Sequence, residues 1–405
     1  MIDRAREFDD ADPLAKYRDR FDLPTDVIYL DGNSLGALPR ATLARLEQVI
    51  RGEWGGGLIR SWNDADWIGA ARRVGGKIAP MIGAQLHEVV ACDSTSVNLF
   101  KLIAAALEMR PGRKVVLSEP GNFPTDLYMI AGLERQGLGK RKLASRESIV
   151  GALDNDVALL LLTHVHYKSG DIHDMVALTK AAHDAGALVL WDLSHSCGAL
   201  PVDLNAAGAD FAVGCGYKYL NGGPGAPAFA FAAERHHNTM HQPLTGWFGH
   251  NAPFDFSDDY EPAAGIDRLQ CGTSPILGLA ALEVGVELIS EIGIDRLYAK
   301  SQALSEFFLA GLADCGLDLE GVGPSNSDER GSQLSFRHPE AYAICQALIA
   351  RGVIGDFRDP DILRLGFAPA YLRFVDVAEA IRHLVEVFAN EEWMRPEFQT
   401  RNAVT

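Results

Sequence analysis

Trp191-Asp-Leu-Ser-His195 and Gly216-Tyr-Lys-Tyr-Leu-Asn-Gly-Gly-Pro-Gly225, whose lysine lies 26 residues after the aspartate, hold the most consequential side chains of this 405-residue sequence. Asp192 closes the apolar run Ala187-Leu-Val-Leu-Trp191, and Lys218 stands in a short glycine-flanked turn. A carboxylate so placed can keep a pyridine nitrogen protonated, and a lysine amine can hold an aldehyde as an imine. Together they describe a site for pyridoxal 5'-phosphate. Alone, each residue has a plainer reading, the aspartate as a turn or cap and the lysine as a solvated charge. The turn Asn221-Gly-Gly-Pro-Gly225, which allows close backbone approach, and the phenol of Tyr217 favour the chemical one.

Other stretches could complete such a site. Asp93-Ser-Thr-Ser-Val-Asn98 offers hydroxyls and backbone amides at the start of a helix, the donors a phosphate needs, although it reads equally as an ordinary N-cap. Gly121-Asn-Phe-Pro-Thr-Asp126 follows a strand and offers Phe123 to stack on a planar ring, with Asp126 close by. His164-Val-His166 could present two imidazoles to zinc from one strand face, but no third clustered ligand accompanies them, so no metal is expected. Gly132 to Gly137 imitates a phosphate loop with Leu138 where lysine is required, and Gly214 and Gly216 lack the third glycine of a dinucleotide fingerprint.

The elements that must position these residues follow from hydrophobic patterning. Between about 89 and 232, short apolar runs alternate with helix-like stretches, which predicts an α/β fold with a mostly parallel sheet between helices. Strands are expected at 114–118, 157–163, 187–192, 211–214 and 228–231, with helices at 96–109 and 171–185. Ligands in such sheets sit at the C-terminal edge, which singles out Glu119 onward, Thr163, Asp192 and Gly214 onward. Residues 275–313 read as one or two helices. Strands at 332–337 and 362–366 bracketing a helix at 340–351 then predict a smaller C-terminal α/β domain, with 321–331 as a loop inside it. The expected division is an N-terminal segment 1–50, a large domain 51–275 and a small domain 276–405.

A net charge of −17 argues against nucleic acid and anionic membrane as partners. Six scattered cysteines, a charged N-terminus and no apolar run near the roughly 20 residues of a membrane helix point to a soluble cytoplasmic protein with reduced thiols.

Taken together, Tyr29-Leu-Asp-Gly-Asn-Ser-Leu-Gly36, Ser96-Val-Asn-Leu99, Asn122-Phe-Pro-Thr-Asp126, Trp191-Asp-Leu-Ser-His-Ser196, Gly216-Tyr-Lys-Tyr-Leu-Asn221 and Gly246-Trp-Phe-Gly249 resemble kynureninase, in order and across nearly the whole chain. The resemblance implies a fold-type-I pyridoxal phosphate enzyme, with a large domain and a smaller C-terminal one. It implies cleavage of L-kynurenine to anthranilate and L-alanine in tryptophan degradation, and 3-hydroxykynurenine as a second substrate to test. Carried over, it places Thr95 and Ser96 at the phosphate, Phe123 on the ring with Pro124 and Thr125 beside it, and Asp126 and Asp192 toward the pyridine nitrogen. Thr163 and His195 complete the ring contacts, Tyr217 binds phosphate and shuttles protons, and Lys218 holds the imine. Trp247 and Thr273 reach the phosphate from the other subunit of a homodimer. Arg364 is chosen to grip the substrate α-carboxylate, with Arg337, Arg358 and Arg373 as competitors, while Trp62, Ser34 and Asn33 line the aryl end. Relatives preferring the 3-hydroxylated substrate tend to carry His and Asn where Trp62 and Thr273 stand, so plain kynurenine is expected.

Three rivals are open on sequence. A cysteine desulfurase or another class V aminotransferase-like enzyme shares the fold, but 321–331 has no cysteine and Tyr217 stands where a desulfurase has histidine. A catalytically silent protein of this fold would not need both Asp192 and Lys218. A metal hydrolase would rest on His164 and His166 alone.

Overall fold

The computed structural model describes residues 1–317 and 319–401. Among them thirteen strands form three sheets. In chain order they are β1 (Ile28–Tyr29), β2 (Val89–Ala91), β3 (Val115–Ser118), β4 (Lys140–Leu143), β5 (Val157–Thr163), β6 (Leu188–Asp192), β7 (Phe211–Gly214), β8 (Phe229–Ala232), β9 (Glu320–Val322), β10 (Gln333–Arg337), β11 (Val353–Ile354), β12 (Asp356–Arg358) and β13 (Ile362–Gly366).

The central sheet has the order β2-β8-β7-β6-β5-β3-β4, and only β8 runs against the rest. All seven residues of β5 and all five of β6 are buried, because helices cover both faces. Burying each leucine of β5 contributes about 1.5–3 kcal/mol. The five predicted central strands are present within one residue. β2 and β4 went unpredicted. β4, Lys-Arg-Lys-Leu, is an edge strand whose charges face solvent, so it carries no apolar signal. The helix expected from 171 begins only at Met175, where the Asp174 side chain accepts from Ala177 N at 2.9 Å.

The smaller sheet is antiparallel, in the order β12-β13-β10-β9. The loop predicted at 321–331 is a loop only in part. Glu320–Val322 instead pairs with β10 as an exposed edge strand, its short Glu-Gly-Val run too polar to read as one. The N-terminal residues join this C-terminal part: β1 pairs in parallel with β11 as a separate two-stranded sheet, Gly366 N of β13 donates to Leu30 O at 2.7 Å, and Asp9 caps the helix Phe374–Ala389 through Phe374 N and Val375 N. The segment Tyr29–Gly36 then runs to the Lys218 turn, where Gly36 N donates to Tyr217 O at 2.8 Å. One short stretch thus ties the small sheet to the large one. The helix Ile276–Ile292 packs against helices Arg40–Glu47 and Ala70–Ile78, on the large-sheet side.

Candidate active site

The C-terminal edge of the central sheet gathers the polar groups that its buried strands exclude. Parallel register sets Thr163, the end of β5, directly beside Asp192, the end of β6. Asp192 is buried and accepts from Ser194 N at 2.8 Å, and burial raises its carboxyl above the usual range. Asp126 lies in the first turn of the helix Pro124–Arg135, whose first residues are Pro124 and Thr125. Its carboxyl is raised well above the ordinary value, by burial first and then by Asp192. The Thr163 hydroxyl bridges Asn122 Oδ1 and Asp126 Oδ2, the latter at 3.2 Å. Asn122 also bonds Ser118 Oγ at 3.1 Å and accepts from Phe123 N at 2.9 Å, which fixes the approach of the Phe123 ring. Asn122 carries no functional signal of its own in the sequence beyond its place in the Asn122–Asp126 motif.

Lys218 follows β7 in a turn closed by Asn221 N to Lys218 O at 2.9 Å and Gly222 N to Gly216 O at 2.9 Å, with Asn221 at φ 53°. A Cβ at Gly36 would stand 2.2 Å from Lys218 O, so only glycine permits this crossing. The lysine is buried. Its Nζ lies 2.9 Å from His195 Nε2, 5.6 Å from the Phe123 ring centre and 5.9 Å from that of Tyr217. Burial, followed by Lys218, pushes His195 well below its usual value, so its imidazole is neutral. Burial likewise raises the Tyr217 phenol, which stays protonated at neutral pH. Thr95 and Ser96 open the helix Thr95–Glu108 after β2, with Ser94 as the cap accepting from Val97 N at 3.3 Å. That helix start also lies at the C-terminal edge of the sheet.

A second group lies on the small sheet. Antiparallel register sets Asp356 opposite Arg364. Arg364 is fully buried, and Asp356 grips it through Nε at 2.8 Å and through Nη2. Its Nη1 donates to Tyr167 O at 2.5 Å and its Nη2 to Ser34 Oγ at 2.9 Å. With its amide turned to satisfy both groups, Asn33 accepts from Nε and Nη2 at 3.0 and 3.1 Å. Tyr167 meets Phe123 edge-on at 5.2 Å, which joins this group to the Lys218 pocket.

The competing arginines are now separated. Arg337 pairs with Glu320 and Asp361 at the surface, and Arg373 pairs with Asp376. Arg358 shares Asp356 with Arg364, at 2.6 Å. The grouping of Trp62 with Ser34 and Asn33 does not hold within one chain. Trp62 instead lines a cavity of about 560 Å³ with Trp247, Phe248, Phe254 and Thr273, and among the described contacts none joins it to Arg364 or Lys218. The two histidines also diverge. His164 is buried, bonds Ser196 Oγ at 2.9 Å and is pushed by burial down to about 3, whereas His166 bonds Gly121 O at 2.9 Å.

The Kynureninase C-terminal domain family matches residues 297–384. Kynureninase of Burkholderia mallei (strain SAVP1) is 50% identical over 412 residues, covering 100% of this chain and 99% of the relative. Kynureninase of Pseudomonas fluorescens is 49% identical over 406 residues, covering 98% of each. In fold, the apo cysteine desulfurase of Thermococcus onnurineus NA1 superposes with a TM-score of 0.78 at 20% identity, over 93% of this chain and 97% of that one. The cystine C-S lyase C-DES, in complex with its product cysteine persulfide, gives 0.73 at 17% identity, over 90% of this chain and 98% of that one. At those identities the likeness concerns fold alone, and the sequence relatives decide the assignment. The chain belongs to the kynureninase family.

Proposed function

We propose that the protein binds pyridoxal 5'-phosphate at the Lys218 pocket and hydrolyses the β–γ carbon–carbon bond of L-kynurenine, giving anthranilate and L-alanine. Identity of 50% over the full length to kynureninase carries this reading. The pocket fits the cofactor. Asp126 Oδ1 and His195 Nδ1 are buried without a hydrogen-bond partner among the described residues, and two buried carboxylates face one lysine. A protonated ring nitrogen would supply the missing positive charge and donor. Lys218 would hold the cofactor, Asp192 and Asp126 its ring nitrogen, and Phe123 its face, with Thr163 and His195 at the ring. Thr95, Ser96 and Tyr217 would hold the phosphate, with Pro124 and Thr125 beside the ring next to Phe123. Bound there, the cofactor supplies an electron sink that stabilises negative charge on carbon next to the substrate amine.

The chain's own groups then do the rest. Lys218 Nζ, once released, takes and returns the proton at the substrate α-carbon, with the Tyr217 phenol as its partner in proton transfer. Arg364 orients the substrate through its α-carboxylate, held in place by Asp356.

Trp62, Trp247 and Thr273 share one cavity apart from Lys218, and this supports their acting on the site of a second copy in a homodimer. Trp54, Leu58, Ile59, Phe254 and Phe256 are exposed around that region, an apolar surface that a second copy would cover. Trp62 and Thr273 on one cavity wall also support a preference for plain kynurenine over its 3-hydroxy form. No helix among the described residues is long and apolar enough to cross a membrane, and all six cysteines are unpaired, which supports a cytoplasmic location. Anthranilate and 3-hydroxyanthranilate formation from the two substrates, measured side by side, tests the reading. Preference for the 3-hydroxy substrate would overturn the assignment of Trp62 and Thr273, and turnover of neither would overturn the function.

A further inference from the structure

Two aspartates and two arginines meet where the Tyr29–Gly36 segment crosses β12 and β13. Asp356 accepts from Arg364 through two N–H groups, from Arg358 and from Ser34 Oγ at 2.8 Å. Asp31 faces the same cluster, yet its Oδ1 is buried with no hydrogen-bond partner among the described residues. We propose that Asp31 is a specificity-determining acid: it carries the proton of the Asp31 and Asp356 pair, leaving Arg358 and Arg364 one positive charge in excess for the substrate's α-carboxylate. This rests on Arg364 as the carboxylate site.

Charge balance requires it. With both aspartates ionised the four groups sum to zero, and an incoming carboxylate would add an uncompensated charge in a desolvated corner. With one proton on the pair, the same carboxylate brings the cluster to neutrality. The proton goes to Asp31, because Asp356 has every strong donor in reach and Asp31 Oδ1 has none. Burial first, and then Asp356, push Asp31 up to about 7, while Ser34, Arg364 and Arg358 pull the other way. The remaining titratable groups around it are Tyr29, Tyr219, Tyr371 and Cys345, each raised by burial and so neutral near pH 7. The charge of this corner is therefore decided by the two aspartates and two arginines. Asp31 stays poised because the backbone holds it there: Asp31 O accepts from Ser34 N at 2.9 Å and Leu35 N at 3.1 Å, and the residue bridges to Gly366 of β13.

The consequence is a KM for L-kynurenine that rises as Asp31 ionises, by up to about tenfold between pH 6 and pH 8 for a group titrating near 7. The test is the pH profile of KM and kcat for the holoenzyme and for Asp31→Asn, with Asp31→Ser as a second neutral variant. The expected result is that wild-type KM rises over this range, and that the neutral variants flatten the rise to under about twofold while the pH dependence of kcat is retained. A flat wild-type KM, or neutral variants that keep the wild-type rise, overturns the proposal. Arg364→Ala separates the two layers. If it leaves KM unchanged, the carboxylate site itself is wrong; if it raises KM while the neutral Asp31 variants keep the rise, only the role of Asp31 falls.

Discussion

Replacing Arg364 by alanine removes a guanidinium whose Nε and Nη2 edge is already taken by Asp356. A substrate carboxylate must therefore approach the far edge, where Nη1 now donates to the Tyr167 carbonyl and the second N–H of Nη2 to the Ser34 hydroxyl. Two charge-assisted hydrogen bonds are at stake, each contributing about 1.5–3 kcal/mol. Arg358, sharing Asp356 at 2.6 Å, retains part of the positive charge, so the net loss is about 2–4 kcal/mol. At about 1.4 kcal/mol per decade that is a rise in KM of roughly 30-fold to 1,000-fold. Arg364→Lys keeps the charge without the fork and should fall between. Steady-state kinetics on L-kynurenine, followed by anthranilate fluorescence, gives KM and kcat, and absorbance of the bound cofactor shows that the pocket is intact. A KM within threefold of wild type, with cofactor bound, would refute the assignment and transfer it to Arg358.

Three further outcomes follow from the same geometry. Asp192→Asn removes the carboxylate proposed to face the ring nitrogen while keeping its shape, and kcat should fall by about 10²–10³ with the protein still folded, as checked by circular dichroism and turnover. Gly36→Ala places a methyl 2.2 Å from Lys218 O, so thermal unfolding should report a loss of about 1–3 kcal/mol together with weakened cofactor retention. His164 is held neutral by burial, at about 3 against 6.5 when exposed. The unfolded chain thus binds a proton that the folded chain refuses. Stability should be unaffected above about pH 6.5 and fall as pH drops toward 3, by up to about 1.4 kcal/mol per unit. His164→Asn, compared with wild type by urea unfolding at pH 5 and pH 7, should lose that acid sensitivity.

Sequence made the ring end of the site legible and left the substrate end less so. Thr163 and Asp192 close buried strands and Lys218 follows one, and a continuous apolar run announces both the strand and the residues at its end. Phe123 and Asp126 were legible because their segment follows the apolar strand β3, with Phe123 just before the helix that Pro124 starts and Asp126 in its first turn. Asp356 was not, since Asp-Phe-Arg before Asp359-Pro360 reads as turn residues, and only the register of β12 with β13 brings it to Arg364. Asp31 lies within the Tyr29–Gly36 motif, but the sequence shows no partner for its charge, because its neighbours Asp356, Arg358 and Arg364 lie more than 300 residues away. Arg337, an equal competitor by spacing, faces outward on β10 with Glu320, a distinction that period-two alternation alone did not decide. Trp62, Trp247 and Thr273 were placed with the site through resemblance, whereas in the single chain they form a separate cavity.

The central claim is tested most directly by incubating the purified protein, loaded with pyridoxal 5'-phosphate, with L-kynurenine and quantifying both products, alongside Lys218→Ala. The wild type should give anthranilate and L-alanine in equal amounts, and the variant neither. Cofactor bound to Lys218 without anthranilate release, or L-alanine formed from L-cysteine in place of L-kynurenine, would contradict it.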